Sequence, residues 1–266
     1  MSENSYKAPL MSEMAAAGQS PEVLFWVGCA GSFDDRYKKV TVAFAKILNE
    51  LGINFAILGP EESCTGDPAR RAGNEFLFQM QAMSAIQVLN GYSIKHIVTA
   101  CPHCFNTIKN EYPELGGNYE VIHHTQYLQN LIHEGKIELK GGGAFNGKRI
   151  TYHDSCYLGR ANEIYEAPRE VLEQLDAELV EMKRCKTKGL CCGAGGAQMF
   201  KEAEPGNKEV NIERTEEAID TEAEIIATGC PFCMTMMTDG VKNKEKESAI
   251  KVYDIAELIA QAKKLS

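Results

Sequence analysis

The sequence predicts an α/β fold made of two homologous repeats, each a small parallel sheet with flanking helices. Two observations support this prediction. Short apolar runs alternate with segments of helical periodicity along the chain, and one cysteine pattern occurs twice at a nearly constant offset. Because parallel α/β sheets bind ligands where their strands end, we expect each set of cysteines to gather at the carboxyl ends of its strands.

The first repeat is predicted over residues 21–140. Apolar runs predict strands at 23–27, 54–58, 96–100 and 119–123. Apolar residues at helical spacing predict helices at 37–51, 75–89 and 126–133, and Gly52 ends the first of them. Pro102 suits the first turn of a further helix, which places Cys104 in that turn.

The second repeat is predicted over residues 148–266, after a glycine-rich linker at 141–147. Its predicted strands are 149–153, 178–182, 224–228 and 249–253. Helices are predicted at 167–175 and 207–220, with another after residue 253. The order of elements therefore repeats that of the first half, which predicts two parallel sheets with right-handed crossovers.

Composition excludes several classes of function. The 266 residues carry a net charge of −9 and show no dense cluster of Lys and Arg, so we expect no nucleic-acid partner. No apolar run is long enough to span a membrane. Residues 1–20 are polar and lack the features of a secretory signal. We expect this polar segment to be flexible.

These features predict a cytoplasmic protein that reaches a membrane only through a partner. In a reducing compartment, ten cysteines are better explained as metal ligands or redox groups than as structural disulfides.

The cysteine pattern indicates an internal duplication of soft thiolate ligands. The second copy consists of Cys156, Cys191, Cys192, Cys230 and Cys233. The first copy consists of Cys29, Cys64, Cys101 and Cys104. Pairing Cys64 with Cys192 gives offsets of 127, 128, 129 and 129 along the two copies. A repeated thiolate set points to iron–sulfur chemistry.

Five cysteines in the second copy are one more than a tetrathiolate site needs. Adjacent cysteines chelate one small ion poorly, but they can hold neighbouring irons of a cluster. Gly193, Gly195 and Gly196 would let the backbone approach closely and offer N–H groups to cluster sulfides.

The first copy leaves more alternatives open. Ser63-Cys64-Thr65 stands where Cys191-Cys192-Gly193 stands in the second copy. Four thiolates suit a cubane cluster, a zinc ion or no metal, with Ser63 as a weak fifth ligand. A thioredoxin-like redox pair in either Cys-x-x-Cys is a further alternative, although the additional cysteines argue against it. Cys185 lies outside the repeat and is interpreted as a spare thiol.

These residues resemble the CCG family of cysteine-rich domains. That family includes the catalytic B and D subunits of heterodisulfide reductase, iron–sulfur subunits of glycolate, lactate and anaerobic glycerol-3-phosphate oxidation systems, and a fumarate reductase subunit. Its pattern is Cys, about thirty to forty residues, Cys-Cys-Gly, a similar gap and Cys-x-x-Cys, usually present twice. The resemblance covers about residues 22–256, with a full match in the second copy.

The resemblance implies a noncubane 4Fe–4S cluster on the five cysteines, where a disulfide substrate reacts at the irons. The first copy departs from the family pattern by one cysteine, so a second noncubane cluster is not implied there. Larger members often carry ferredoxin-type cysteine runs, and this sequence has none. The resemblance therefore implies a redox partner that holds ferredoxin-type clusters or flavin, with a small-molecule disulfide among the acceptors.

Histidines near the cysteines are candidates for proton delivery. His103 lies inside the first Cys-x-x-Cys, and His153 lies three residues before Cys156. Disulfide reduction consumes two protons with two electrons, so a histidine is chemically suited to such a place. A structural role is the alternative for each. The pair His123-His124 closes a predicted strand, which favours a turn or an interface.

Cationic and methionine side chains give weaker signals. Three arginines are candidates for binding an anionic substrate or a partner carboxylate, with solvated surface as the alternative: Arg70, Arg71 and Arg160. Met80 and Met83 are interpreted as core, or as a face for a partner.

Three functions follow from the sequence. The first is a subunit of a redox enzyme that reduces a disulfide or passes electrons to an acceptor. The second is a non-catalytic electron-transfer subunit of a flavin dehydrogenase. The third is a structural protein that carries zinc or a cluster. A substrate-dependent spectral change would indicate the first, reversible reduction alone the second, and no redox response the third.

Overall fold

In a computed structural model, described over residues 7–139, 143–202 and 205–265, the chain forms two four-stranded parallel sheets. The strands are β1 (Val23–Trp26), β2 (Phe55–Ala56), β3 (His96–Thr99), β4 (Glu120–His123), β5 (Arg149–Tyr152), β6 (Glu178–Leu179), β7 (Ile225–Thr228) and β8 (Lys251–Asp254). The first sheet has the order β2-β1-β3-β4, and the second has the order β6-β5-β7-β8. The predicted fold class is therefore confirmed.

The helices flank these sheets in both halves. They are α1 (Met11–Ala16), α2 (Gly28–Phe33), α3 (Lys38–Glu50), α4 (Asp67–Arg71), α5 (Glu75–Gly91), α6 (Pro102–Asn106), α7 (His124–His133), α8 (Gly159–Asn162), α9 (Glu166–Glu173), α10 (Val210–Asp220), α11 (Pro231–Asn243) and α12 (Ile255–Ala262). The sequence did not predict five of these helices: α1, α2, α4, α8 and α11. Pro231 occupies the first turn of α11, a position that suits proline.

The central strands are buried on both faces, which explains why they read as continuous apolar runs. All four residues of β1 are buried, as are all four residues of β7. This is expected for parallel strands covered by helices on both sides. The apolar runs at 23–27 and 224–228 therefore match strands almost residue for residue.

The strand order creates a crevice in each sheet. From β1 the chain crosses to β2 on one side, and then returns to β3 on the other side of β1. Such a reversal leaves an opening at the carboxyl ends of the two central strands. The same reversal occurs between β5 and β7. Both repeats therefore offer a ligand-binding crevice at the position where their cysteines begin.

One hydrophobic core cluster spans the two halves. Helix α3 packs on α12 across the interface, and α7 packs on α9. Polar contacts accompany this packing. His124 Nε2 lies 2.9 Å from Asp254 Oδ1 with both side chains fully buried, and Arg36 Nη1 donates to Glu257 Oε1 at 2.7 Å. The predicted interface role of the His123-His124 pair agrees with this arrangement.

The N-terminal region differs from the flexible segment predicted at 1–20. Helix α1 begins at Met11, whose side chain is 2% exposed, and Leu10 pairs with Ile57 beside the first sheet. Residues 1–6 lie outside the described part of the chain, as do residues 141–142 of the predicted linker. Across the described ranges, no helix is both long and apolar enough to span a membrane.

Candidate functional site

The first cysteine set gathers at the carboxyl ends of β1 and β3. Cys29 lies in α2 directly after β1, and Cys101 caps α6 directly after β3. Cys104 follows in α6, and Cys64 comes from the loop before α4. All four line one pocket. Within it, thiol hydrogen bonds join Cys29 with Cys64 and Cys101 with Cys104. The crevice predicted for this sheet is therefore lined with sulfur.

The second set gathers in the same way around β5 and β7. Cys156 follows β5, and Cys230 caps α11 after β7 with Cys233 one turn later. Cys191 and Cys192 come from the glycine-rich loop. The thiols form a continuous series of contacts: Cys156 with Cys191, Cys191 with Cys192, Cys192 with Cys233, and Cys233 with Cys230. All five predicted residues are therefore brought together.

Crowding of sulfur atoms controls the thiol pKa values in both sets. The contact with Cys64, followed by burial, raises the pKa of Cys29. In return, the contact from Cys29 lowers the pKa of Cys64 to about 7. The same exchange raises the pKa of Cys156 and lowers that of Cys191. Thiolates this close repel one another unless positive charge lies between them.

This donor chemistry fits an iron–sulfur cluster. Four or five converging sulfur atoms satisfy the thiolate ligation that such clusters use. The irons would also supply the positive charge that removes the mutual repulsion of the thiolates. The ten cysteines all lie in the described residues and none forms a disulfide, so every sulfur of the two sets is free to bind metal.

The structure revises the pairing of the two copies. Gly66 donates its N–H to Cys64 Sγ at 3.5 Å, and Gly193 donates its N–H to Cys191 Sγ at 3.3 Å. The two glycines have φ values of +88° and +93°. Cys64 therefore corresponds to Cys191 and not to Cys192, with the same offset of 127 residues that joins the first cysteines.

This shift makes Thr65 the counterpart of Cys192. Thr65 is buried, and its hydroxyl donates to Cys104 Sγ at 3.9 Å, whereas Cys192 contacts Cys233 in the second set. Ser63, which the sequence offered as a fifth ligand, is exposed. The sequence does carry a signal for this pairing, because Cys64-Thr65-Gly66 and Cys191-Cys192-Gly193 share a Cys-x-Gly pattern at the offset of 127.

The three glycines predicted in the loop differ in backbone conformation and in the space available for a side chain. Gly193 and Gly196 have positive φ, at +93° and +64°, where a side chain is strained. A Cβ on Gly193 would lie 3.3 Å from Val210 Cβ. Gly195 lies outside the positive-φ region and has open space around its Cα. Only Gly193 donates its N–H to a cysteine sulfur among these three.

His103 joins the two cysteine sets. Its Nδ1 lies 2.8 Å from Asp67 Oδ2, and the ring also bonds to Cys230 of the second set. Burial lowers the pKa of His103, but the bonds to Asp67 and Cys230 outweigh burial and raise the pKa to about 10. Tyr157 stacks on the same ring at 4.3 Å. His103 therefore places a positive charge between the sites.

His153 occupies a different environment. The ring is buried, and Arg214 Nε donates to its Nδ1 at 3.0 Å. The ring also lies near two sulfur atoms, because one ring nitrogen of His153 and the Sγ atoms of Cys192 and Cys233 all lie within 4.8 Å of one another. Burial and the charge of Arg214 lower the pKa of His153 to about 3.

The three candidate arginines all have hydrogen-bond partners within the protein. Arg71 Nε donates to Asp67 Oδ1 at 2.9 Å, and Arg70 Nη1 donates to Glu111 Oε2 at 2.8 Å, so both belong to the network behind His103. Sequence reasoning missed Asp67 and Glu111 because the contacts join distant segments. Arg160 lines a pocket beside Cys156 and Cys191 and donates to the Gly189 carbonyl.

The structure also places the two methionines of α5 and the cysteine outside the repeat. Met80 and Met83 are 55% and 61% exposed on α5, so the interpretation as core is wrong and the partner face is the alternative that fits. Cys185 lies beside Glu181, and burial raises its pKa. None of the groups that influence this thiol belongs to either cysteine set, which agrees with a spare thiol.

Comparison with known proteins gives consistent family matches. The CCG family, described as "Cysteine-rich domain", matches residues 23–109 and 150–238. The chain is 48% identical over 255 residues to "Probable iron-sulfur-binding oxidoreductase FadF" of Bacillus subtilis, and 45% identical over 251 residues to "EtfAB:quinone oxidoreductase" of Syntrophomonas wolfei. These matches cover 96% and 92% of this chain, but only 36% and 35% of those proteins.

A third relative has a different named activity. The chain is 36% identical over 258 residues to a subunit of the dihydromethanophenazine:CoB--CoM heterodisulfide reductase of Methanosarcina barkeri, covering 92% of this chain and 60% of that protein. Among solved structures, glutamate racemase from Francisella tularensis matches 91% of this chain and 78% of its own, with 15% identity and a TM-score of 0.38. That similarity is too weak to support an argument.

Proposed function

Because the chain belongs to the CCG cysteine-rich domain family, we propose that it is an iron–sulfur oxidoreductase subunit that exchanges electrons with a partner redox protein. The family match and the names of the relatives support an iron–sulfur cluster on its cysteines. When bound, such a cluster supplies reversible electron transfer at thiolate-ligated iron. The observation that carries the proposal is the convergence of two sulfur-lined sites around His103.

We assign one 4Fe–4S cluster to the second set, with a noncubane form expected from its five thiols. Its ligands are Cys156, Cys191, Cys192, Cys230 and Cys233. The contacts of Cys191 with both Cys156 and Cys192 support this assignment, because they leave no member of the set apart. Backbone N–H groups of the glycine-rich loop, beginning with Gly193, would stabilise the sulfur atoms.

We assign an ordinary cubane 4Fe–4S cluster to the first set, on Cys29, Cys64, Cys101 and Cys104. Thr65 in the fifth place supports four thiolates rather than five. A zinc ion on the same four thiolates is the alternative. The two metals predict different measurements, because zinc brings no acid-labile sulfide and no visible absorption.

Electrons require a donor and an acceptor beyond the residues described here. The Syntrophomonas relative is named an EtfAB:quinone oxidoreductase, and this chain spans only about a third of that relative. We therefore propose a flavin or ferredoxin-type cluster as the neighbouring redox group. His103 supports electron exchange by the chain, because its positive charge beside Cys230 favours the added electron.

Reduction of a small disulfide is the second candidate. It is favoured by the five-thiol set and by the relative named as part of a heterodisulfide reductase. The pocket beside Cys156 and Cys191 also contains Arg160 and Lys186, which suit an anionic substrate. Exposure of the reduced protein to a disulfide separates the candidates. Reoxidation by the disulfide favours this one, whereas reoxidation by a quinone alone favours electron transfer.

The first experiment is the content of iron, zinc and acid-labile sulfide in protein purified without oxygen. About eight irons with matching sulfide per chain are expected if both sets hold 4Fe–4S clusters. Cys192→Ser should reduce the iron of the second site, and Cys185→Ser is the matched control that should leave metal content unchanged. Zinc without sulfide, even after anaerobic reconstitution, would contradict the proposed function.

A further inference from the structure

We infer that His153 is a fixed hydrogen-bond donor to the second site, which raises the reduction potential of the cluster there without binding iron. The inference rests on the proposed cluster at the five cysteines. It replaces the expectation that His153 delivers protons, and it excludes the ligand role that the nearby thiols would otherwise suggest. Three observations carry it: the partner of Nδ1, the environment of Nε2 and the equivalent position in the first repeat.

The partner of Nδ1 determines the tautomer. Arg214 Nε approaches His153 Nδ1 at 3.0 Å, and an arginine N–H can only donate. Nδ1 must therefore carry the lone pair, which leaves the single proton of the neutral ring on Nε2. A histidine that binds metal through Nε2 needs the opposite tautomer, in which Nδ1–H donates to an acceptor. Arg214 offers no acceptor, so the contact excludes ligation.

Arg214 is itself held in place. Its side chain is fully buried, with Nη1 donating to the Arg184 carbonyl and to Glu217 Oε2, each at 2.7 Å. The guanidinium therefore cannot turn to release His153 without breaking two buried bonds. Such outer partners commonly control which tautomer a histidine presents to a metal site.

The environment of Nε2 identifies what receives its proton. Nε2 is buried and has no hydrogen-bond partner among the described residues. The ring borders sulfur, since one ring nitrogen of His153 and the Sγ atoms of Cys192 and Cys233 lie within 4.8 Å of one another. A buried N–H without a partner is costly. A thiolate or a cluster sulfide beside this ring would accept the bond and remove that cost.

The first repeat places another donor at the equivalent position. Trp26 lies three residues before Cys29, as His153 lies three residues before Cys156. Its side chain is fully buried in the hydrophobic core that contains Cys101 and Cys104, and its Nε1 also has no partner among the described residues. An indole N–H can only donate and never binds iron. Trp26 and His153 therefore differ in side chain, but each can donate an N–H at the equivalent position of its repeat.

Donation to sulfur has a defined electrochemical consequence. Reduction adds negative charge to a cluster, so an N–H aimed at its sulfur atoms stabilises the reduced state and raises the potential. His153→Leu removes the N–H and should lower the potential of the second site. His153→Gln keeps an amide oxygen for Arg214 and an N–H for the sulfur, and should restore much of the potential. His96→Leu, at an exposed histidine on β3, is the matched control.

The test uses the full chain purified anaerobically, with iron and sulfide measured first. Potentiometric EPR then gives the potential of each variant, and hyperfine spectroscopy of wild-type protein labelled with ¹⁵N-histidine reports the contact directly. His103, which contacts Cys230, contributes one weak ¹⁵N coupling that every variant at position 153 retains. We expect a second weak ¹⁵N coupling that is lost in His153→Leu and in His153→Gln and retained in His96→Leu. His153→Gln keeps the test decisive if His153→Leu fails to fold.

Two results would overturn the inference while leaving the proposed function intact. One is a strong ¹⁵N coupling, together with loss of iron in both His153 variants, which would make the histidine a ligand. The other is an unchanged potential in His153→Leu at full iron content. Absence of iron and sulfide from the wild-type protein would instead reject the cluster and the inference together.

Discussion

The rings of His103 and Phe232 meet with their centroids 4.7 Å apart, although they belong to different repeats. Each is the variable residue of its Cys-Pro-x-Cys motif, between the cysteines of its own set. His103 reaches onward to Cys230 of the second set, and Phe232 lines the pocket of the first. The duplication therefore produces two sites that share their inner wall, and a change at one motif reaches both.

His103→Phe is expected to lower the reduction potential of the second site without removing its metal. The substitution gives both repeats the same motif and removes the positive charge that Asp67 holds beside Cys230. Loss of an outer partner of this kind typically reduces activity about 10- to 100-fold. Potentiometric EPR and the rate of electron exchange with an artificial donor measure the two effects.

His133→Phe is the control for this change, because His133 is an exposed histidine paired with Glu170 outside both cysteine motifs. It should leave the potential and the rate unchanged. Equal potentials for wild type and His103→Phe, at equal iron content, would show that His103 does not influence the second site.

Thr65→Cys is expected to convert the first site toward the second. The structure puts Thr65 where the second set has Cys192, with its hydroxyl directed at Cys104 Sγ. A cysteine there would supply the fifth thiolate, so the EPR and Mössbauer spectra of the first site should approach those of the second. Total iron should stay the same or rise.

Ser63→Cys is the matched control for Thr65→Cys. Pairing Cys64 with Cys192 points to position 63, whereas the structure shows that Ser63 is exposed. The added thiol should change neither the iron content nor the spectra. A spectral change in Ser63→Cys but not in Thr65→Cys would restore the pairing that the sequence suggested and reject the structural one.

The sequence was sufficient for the features that depend on local pattern. Buried parallel strands leave continuous apolar runs, so β1 and β7 could be predicted closely. The duplication identified both cysteine sets because a fixed offset cannot arise from scattered core thiols. Strand order then placed those sets at the crevices, since Cys29 and Cys101 follow the two central strands of the first sheet.

The contacts that control the sites could not be predicted in this way. Asp67 and His103 are 36 residues apart, and Arg214 lies 61 residues from His153, so no short motif links either pair. Thr65 is the exception, because the Cys-x-Gly pattern at 64–66 and 191–193 is visible in the sequence at the offset of 127, and only the positive φ of Gly66 and Gly193 is not. Long-range packing decides these relationships, and local propensity carries no record of it.

His124→Leu is expected to destabilise the whole fold. His124 Nε2 bonds to Asp254 Oδ1 at 2.9 Å across the interface, and both side chains are fully buried. Asp254 keeps its bonds from Tyr37 and Ala256, but loss of a buried hydrogen bond to a carboxylate costs about 1.5–3 kcal/mol. Urea unfolding should show a lower midpoint in a single transition, because one hydrophobic core cluster spans the two halves.

His133→Leu provides the comparison for that stability change. The exposed His133–Glu170 contact at 3.1 Å belongs to the same helix, α7. Surface pairs contribute only about 0–1 kcal/mol, so this variant should unfold close to wild type. Equal losses in the two histidine variants would mean that the buried contact with Asp254 is not the source of the effect.

Gly193→Ala is expected to impair metal loading of the second site, whereas Gly195→Ala should not. Gly193 has a φ of +93°, and an added Cβ would lie 3.3 Å from Val210 Cβ. The left-handed conformation costs an ordinary residue about 1–2 kcal/mol, and a shift of the turn would withdraw the N–H that bonds to Cys191 Sγ.

The two glycine variants test whether the loop acts through backbone geometry or through its composition. Gly195 belongs to the same loop, but its φ is not positive and no atom lies within 4 Å of an added Cβ. Gly195→Ala therefore removes a glycine without strain. Iron and sulfide per chain, measured after anaerobic purification, should fall only in Gly193→Ala. Equal losses in both variants would indicate that loop flexibility matters, whereas equal retention would show that the Gly193 turn can relax while the cysteines still bind metal.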